Sequence, residues 1–516
     1  MSETFPHLTA ARGTAAPPEY ARLSFDLDVD IAIVGGGLAG LTVALEAARM
    51  GASVAVLEGR QVGWNASGHQ LGTVMPGFTL PIGDLIARVG FEDARELWSL
   101  SKQGAEYVRA HATEELIPGI AVSEGALEVS NVEAGDALIS RLQTLGEDFD
   151  TEVEGWQVDR VRAELRTNRY FHGVYHPRAF QIDGRRYLFG LAALARRAGA
   201  RIFEDTPVVS IDASGIRKRI VTPSARLRAS HVVLAGNIHL GAPMRRLSET
   251  LLPVWRYAAV TEPLGERLAQ AIVFKGSVTD SDGIDHFRVV QGDRLMWASP
   301  ETTWEARPRR FAGTIARRIR TIFPELGRVG IAEVWGGAVG QTVHGMPQIG
   351  QLRRGLWVTS GFGRQGLNTS AIAGQMIARS ILWGDDRWRL FSPFELVWAG
   401  GVTGRVAGYA IGQWARASSS AAGAMARYRE RARAKERLRE ERLAEANRQA
   451  GTGLWRRGLS PDDLSADPAA LGKTEAFSDR APPAAEFAPR QRGEPAETPP
   501  AAPISQESER FSQGSV

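Results

Sequence analysis

The chain has 516 residues, 43% of them hydrophobic, with 62 Lys or Arg against 58 Asp or Glu and a formal net charge of +4. That length allows roughly two to four domain-sized units with a sizeable core, and the near balance of charge does not imply a nucleic-acid partner. There are no cysteines, which excludes a disulfide framework, thiolate zinc sites, iron–sulfur ligation and a Cys nucleophile.

Residues 1–20, rich in Pro and Ala, read as a flexible lead. They show neither a basic start nor an apolar run, and no stretch of about 20 uncharged apolar residues follows, so a soluble cytoplasmic protein without an integral membrane span is expected. From 28 to about 350, apolar runs bounded by glycine mix with helical stretches, the pattern of an α/β protein. Residues 30–34, Asp-Ile-Ala-Ile-Val, form a β-branched run too short for a helix and predict a buried strand. A helix is predicted over 38–50 and a second strand over 53–57, ending at Glu58. Together they make one βαβ unit.

The turn inside that unit reads Gly35-Gly36-Gly37-Leu38-Ala39-Gly40, which satisfies G-x-G-x-x-G between a strand and a helix. Gly35 permits the tight turn, Gly37 lets the backbone approach a pyrophosphate, and Gly40 lets the helix pack closely on the strands. The helix start, with Leu38 and Ala39, offers N–H groups and a partial positive charge to phosphates. Glu58 lies about twenty residues beyond the first glycine, where a carboxylate accepts hydrogen bonds from ribose hydroxyls. The fingerprint alone does not choose between FAD and NAD.

Further segments follow in order: Gly63-Trp64-Asn65-Ala66-Ser67-Gly68-His69-Gln70, Thr206-Pro207-Val208, His231-Val232-Val233-Leu234-Ala235-Gly236-Asn237, Pro253-Val254-Trp255-Arg256-Tyr257, Trp335-Gly336-Gly337, and Gly361-Phe362-Gly363-Arg364-Gln365-Gly366-Leu367-Asn368. Over residues 20–416 this set resembles the FAD-dependent amine and amino-acid oxidoreductases of the D-amino-acid oxidase superfamily, and most the gamma-glutamylputrescine oxidoreductase branch. The resemblance implies a Rossmann-like FAD-binding domain (21–95, 178–245 and 335–385) interleaved with an antiparallel-sheet substrate domain (96–177 and 246–334). It implies FAD contacts at Ser67, Gly68 and His69, at Val208, at Ala235 and Gly236, and at Gly361, Gly363, Gly366 and Leu367. In the last of these motifs the glycines let the backbone turn beside a flat ring, and the helix starting near Leu367 points its positive end at that ring. Reduced flavin carries negative charge, so this dipole favours two-electron reduction. Gln70-Leu71 and Arg364-Gln365 stand where the family usually has more glycine, which puts side chains near the flavin.

Two side chains are candidates for catalytic roles. Arg288 falls where the branch has a substrate-facing strand, and its guanidinium suits a carboxylate better than Lys would, although an arginine on an exposed strand is commonly just solvated. His344 either lines the active site or caps a turn. Some relatives link FAD covalently through a His in the loop that here holds His69, but non-covalent FAD is expected. No metal is expected: His172 and His176 are four apart without a carboxylate at ligand spacing. Leu471-Gly472-Lys473-Thr474 is P-loop-like, but Asp467 occupies the place of the first glycine. No G-x-S-x-G elbow occurs.

Towards the C-terminus, an apolar closing helix is expected within 386–415, a solvated charged helix over 416–448 with a protein partner as its alternative use, and a disordered tail over 449–516. The resulting expectation is oxidation of a small-molecule amine to an imine by hydride transfer to FAD. The amine is expected to be a polyamine conjugate or an N-substituted amino acid, with oxygen or an unknown group as acceptor. The alternatives are a sarcosine-type amino-acid oxidase or dehydrogenase, and a non-catalytic or assembly flavoprotein subunit. An NADPH-using monooxygenase would need a second nucleotide fingerprint, and only one is found.

Overall fold

The computed structural model describes residues 18–281 and 283–456. The lead up to residue 17, the P-loop-like segment and the tail from 457 onward lie outside the described residues.

In chain order, β1 (Leu27–Val34), α1 (Leu38–Arg49) and β2 (Val54–Leu57) form the opening unit, within a residue or a few of the expected bounds. There follow α2 (Ala66–His69), β3 (Thr73–Val74), α3 (Ile82–Val89), α4 (Phe91–His111), β4 (Ser123–Val129), α5 (Gly135–Gln143), β5 (Glu154–Trp156), α6 (Val158–Leu165), β6 (Gly173–Gln181) and α7 (Gly184–Arg197). The middle of the chain contains β7 (Arg201–Phe203), β8 (Ser210–Asp212), β9 (Lys218–Val221), β10 (Arg226–Leu234), α8 (Arg245–Ser248), β11 (Leu252–Thr261) and α9 (Glu266–Ala271). The last elements are β12 (Ser277–Asp280), β13 (His286–Val290), β14 (Arg294–Ala298), α10 (Ala312–Ile322), β15 (Ile331–Gln341), β16 (Gln348–Arg353), β17 (Leu356–Ser360), α11 (Gly366–Trp383) and α12 (Gly401–Arg456).

Two sheets organise these elements. The first has the order β16-β17-β10-β1-β2-β7, with β9 beside β10 and β8 beyond it. Its central pairs are parallel, and the register aligns Val34 with Leu57 and with Leu234, and Leu234 with Val358. The carboxyl ends of β1, β2, β10 and β17 therefore lie along one edge, the edge at which open α/β sheets bind ligands. These strands are apolar on both faces because both are covered. Ile31, Ile33 and Val56 pack with α1, α4, α7 and α11 on one side, while Ala32, Leu57 and Leu227 pack on the other.

The second sheet runs β15-β11-β14-β13-β12-β4-β6-β3, with β5 beside β6. One face packs on α6, α9 and α10 through Leu127, Phe287, Trp297, Ile315 and Ile319. Phe287 and Trp297 stack with ring centroids 4.3 Å apart. Alternation along β13 then sends its neighbours His286 and Arg288 to the opposite face.

Three boundaries differ from the sequence reading. Residues 335–341 belong to the substrate-side sheet, because β15 pairs antiparallel with β11 from Leu252↔Gln341 to Thr261↔Ile331, and the chain rejoins the first sheet only at β16. Helix α4, expected largely in the substrate domain, packs Leu97, Leu100 and Val108 into the core that also holds Leu367, Ile372 and Met376 of α11. The expected closing helix and charged helix are a single element, α12, which runs past 448 to Arg456.

Both sheets belong to one unit ending at Arg437, and a second unit starts at Leu438. Among the described residues no helix is long and apolar enough to cross a membrane.

Candidate active site

A cleft of about 920 Å³ runs from the carboxyl edge of the first sheet to the open face of the second. This is near the upper end of the roughly 300–1,000 Å³ usual for ligand sites.

At one end lies the fingerprint turn. Gly35 has φ +112°, and a Cβ there would sit 2.8 Å from the Ala235 carbonyl, so β1 and β10 approach as closely as they do only because the residue is glycine. Gly36, Gly37, Leu38 and Ala39 line the cleft at the start of α1. The N–H of Leu38 donates to Ser67 Oγ at 3.2 Å. Gly40 does not line the cleft; a Cβ there would collide with the Gly35 carbonyl oxygen, which is the helix-packing role its place in the motif predicts.

Glu58 sits at the end of β2. Its Oε2 accepts from the Gly36 N–H at 2.8 Å, and its Oε1 from the Arg60 N–H at 2.9 Å and the Trp64 indole at 3.1 Å. Burial raises its pKa against the pull of these donors. Val208, Ala235 and Gly236 line the same end, with Trp64 and His239 tilted against each other at 4.7 Å. His239 is pushed down to about 4, chiefly by burial and then by Arg60.

At the other end, Gly363, Gly366 and Leu367 line the cleft at the start of α11, opposite the loop that carries Ser67, His69 and Gln70. A Cβ built on Gly366 meets no protein atom within 4 Å and would project into open space. Gly68 and Gly361 stand behind the wall: a Cβ on Gly68 would overlap the Gly63 carbonyl, and Gly361, at φ +72°, faces Thr342. Gln70 turns back onto its own loop, its amide donating to the Ser67 carbonyl at 3.0 Å.

The two catalytic candidates from the sequence are not among the residues lining this cleft. Arg288 reaches behind it and donates to the Ile182 carbonyl at 3.0 Å; burial, partly opposed by Asp183, lowers its pKa to about 10. His344 holds a turn. Its Nδ1 accepts from the Met346 N–H at 3.1 Å, and its Nε2 donates to the Glu395 carbonyl at 3.2 Å. His176 meets Glu128 at 3.5 Å, and Glu128 also pairs with Arg141.

The charged side chains at the substrate end include Arg256 from β11, Glu301 after β14, Arg364 from the glycine motif, and Asp280 at the end of β12, which accepts from the Asn131 amide at 2.9 Å and from the Ile284 and Asp285 N–H groups at 2.7 and 3.0 Å. Arg364 grips Glu301 with two hydrogen bonds, Nε to Oε1 at 2.7 Å and Nη2 to Oε2 at 3.0 Å. Arg256 stands 4.0 Å from Glu301 Oε1 and otherwise makes long contacts, 3.4 Å to the Ser299 carbonyl and 3.3 Å to that of Gly283. Burial works to raise the Glu301 pKa, but Arg364 and then Arg256 outweigh it and leave it below the ordinary carboxyl value. Burial lowers the Arg256 pKa, with Glu301 opposing. His286 lines the same wall, its Nε2 3.1 Å from Thr73 Oγ1. Burial and the charges of Arg256, Arg288 and Arg364 keep it far below its usual pKa, hence neutral.

The sequence segments around β11 and the glycine motif contained Arg256 and Arg364, but the residue that joins them, Glu301, stood in no motif. Its only signal was an acidic residue just after an apolar strand.

This cleft has the features of a dinucleotide site: two helix N-termini facing one groove, a carboxylate at the end of β2, and glycines whose absent side chains leave the groove open. Residues 30–380 match the family model described as FAD dependent oxidoreductase, and the chain belongs to that family. It is an FAD-dependent oxidoreductase. Among its relatives, a probable oxidoreductase (OrdL) of Haemophilus influenzae is 26% identical over 374 residues, covering 71% of this chain and 86% of that one. Gamma-glutamylputrescine oxidoreductase of Escherichia coli is 25% identical over 415 residues, covering 78% and 96%. The crystal structure of glycine oxidase from Geobacillus kaustophilus superposes with a TM-score of 0.59 at 24% identity, covering 72% of this chain and 98% of that one.

The fit to FAD is good at both ends. The α1 N-terminus and Glu58 suit the ADP half, and the α11 N-terminus with the open space at Gly366 suits the ring. Acid precipitation is expected to release the flavin into the supernatant. A yellow, fluorescent pellet would instead establish a covalent bond, with His69 the first residue to replace.

Proposed function

We propose that the protein oxidises an amine that also carries a carboxylate, either a polyamine conjugate or an N-substituted amino acid, to the imine, which water then hydrolyses. The observation that carries this reading is the cluster of Arg256, Glu301 and Arg364 on the cleft wall. Two guanidinium groups flank one carboxylate there, while Asp280 on the same cleft has its oxygens engaged by the Asn131 amide and the Ile284 and Asp285 N–H groups. Arg364 is committed to Glu301, whereas the long contacts of Arg256 leave its donors available to an anionic group.

FAD held between the α1 and α11 N-termini would supply the two-electron acceptor for this oxidation. The chain's own residues bind and orient the substrate. Arg256 holds the carboxylate and so fixes the direction of the amine-bearing carbon. His286, neutral at the same wall, adds no further charge. Gamma-glutamylputrescine and glycine, after which two of the relatives are named, each combine an amine with a carboxylate.

The test is an anaerobic screen for bleaching of the flavin absorbance. Gamma-glutamylputrescine and sarcosine are expected to include the best reductants, ahead of putrescine and amines without a carboxylate. Equal or faster bleaching by putrescine would sink the carboxylate requirement. Flavin that no amine reduces would favour a non-catalytic flavoprotein subunit.

A further inference from the structure

The closing-helix expectation was that the apolar stretch before residue 415 buries itself against the fold. The structure packs the opposite side. Thr303 Oγ1 donates to the Arg405 carbonyl at 2.8 Å, Arg405 Nε donates to the Thr303 carbonyl at 3.0 Å, and Arg416 reaches the Glu301 carbonyl at 3.3 Å. Gly408 lies against Leu252 and Thr303, close enough that a Cβ would touch both. Between residues 401 and 416, the small and charged residues of α12 thus face the protein, and the large apolar side chains face solvent. Val402 is 66% exposed, Ile411 69% and Trp414 76%, with Val406 and Tyr409 also exposed. The residues just before the helix, Leu396, Val397 and Trp398, are exposed as well.

At 100° per residue, Val402, Val406, Tyr409, Ile411 and Trp414 spread over roughly 200° of the helix circumference, about twice the stripe a surface helix normally buries against one partner. Arg405 and Arg416, the charges of this stretch, both lie on the packed side. The charge changes further along. Six basic residues face two acidic ones between Arg427 and Arg437. Of these, Glu430 is taken by Arg162 and Arg433 by Glu133. Arg429, Arg431 and Lys435 are exposed, and among the described residues none of them forms an ion pair. Arg431 and Lys435 continue the outward face that begins at Val402 and Val406.

We propose that this outward face of α12, with residues 396–398, seats on an anionic lipid bilayer surface. The apolar side chains and the tryptophans enter the boundary between headgroups and acyl chains, and Arg429, Arg431 and Lys435 meet the headgroups. A wide, uncharged apolar arc flanked by tryptophan and followed by unpaired arginine is the composition of a helix that lies in the interface without crossing it. A single protein groove would cover only part of the arc and would leave the basic run without a counter-charge.

The experiment is cosedimentation of the full-length holoenzyme with vesicles of phosphatidylcholine alone or of phosphatidylcholine with phosphatidylglycerol. Binding is expected to the anionic vesicles and to weaken as salt is raised. Val406→Glu with Trp414→Glu should abolish it. Arg431→Gln with Lys435→Gln should lower partitioning roughly thirtyfold, at about 1 kcal/mol per basic residue. Flavin absorbance and thermal midpoint, which neither substitution should move, report folding. If the glutamate pair loses its flavin, the glutamine pair still decides the question. Holoenzyme that stays in the supernatant with anionic vesicles overturns the proposal, as does binding that the folded glutamate variant retains. A concentration-dependent dimer that the glutamate pair dissociates, without vesicle binding, would assign the face to a second copy instead.

Discussion

Gly37→Val is expected to yield protein that has lost its flavin and kept its fold. Gly37 is the N-cap of α1 and lines the cleft, and a Cβ there would already come within 3.0 Å of Ser67 Oγ. The two further methyl groups of valine enter the space in which the backbone must meet a pyrophosphate, and they crowd the Ser67 hydroxyl that receives the Leu38 N–H. Overpacking of this kind costs about 3 kcal/mol, so FAD affinity should fall by roughly a hundredfold or more. Residue 37 has φ −82°, an ordinary backbone for valine, so no conformational strain adds to the effect and the sheets should survive. Flavin absorbance per protein and far-ultraviolet circular dichroism check the two halves of the expectation. A variant with stoichiometric FAD would show that the pyrophosphate does not sit at this turn.

Arg256→Ala is expected to separate substrates by their charge. The guanidinium is partly buried at the cleft wall 4.0 Å from Glu301, and Arg364 still neutralises that carboxylate when Arg256 is removed. Glu301 should therefore stay in place, and what is lost is the partner for a substrate carboxylate. Removing one member of a desolvated charge pair costs on the order of 3 kcal/mol, so the concentration of gamma-glutamylputrescine or sarcosine giving half-maximal flavin reduction should rise roughly a hundredfold. An uncharged amine should change little, and Arg256→Lys should restore part of the loss because it returns the charge without the fork. Reduction kinetics under anaerobic conditions provide the comparison. Equal losses for charged and uncharged amines would assign Arg256 a structural role.

The cofactor half of this site was legible in the residues because its chemistry is local in sequence. A β-branched run, three spaced glycines, a helix and a terminal carboxylate occur within one short segment, and each is required by backbone geometry that follows directly from residue type. Gly40 illustrates the point: its place in the motif predicted close packing, and a side chain there would overlap the Gly35 carbonyl. The substrate half was less legible. Arg288 matched a family position, but strand alternation specifies only which face a residue takes, and His286 and Arg288 share that face. Which of them reaches the cleft depends on where β13 lies relative to Ile182 and Asp183, residues more than a hundred positions away. His344 could equally cap a turn or line a pocket until its two ring contacts placed it in a turn.

By itself the sequence determined the α/β class, the dinucleotide fingerprint and the expected role of Glu58, because strand, turn and helix signals depend on neighbours a few residues apart. Only the tertiary structure decided that Arg256, Glu301 and Arg364 form one charged wall, since it takes β11, the segment after β14 and the α11 turn to bring them together. It also decided the orientation of α12. Composition predicts an apolar closing helix within 386–415, and such a helix can bury any side. The contacts of Arg405 with Thr303 and of Arg416 with the Glu301 carbonyl turn its polar and small residues inward and leave Val402, Val406 and Trp414 outside.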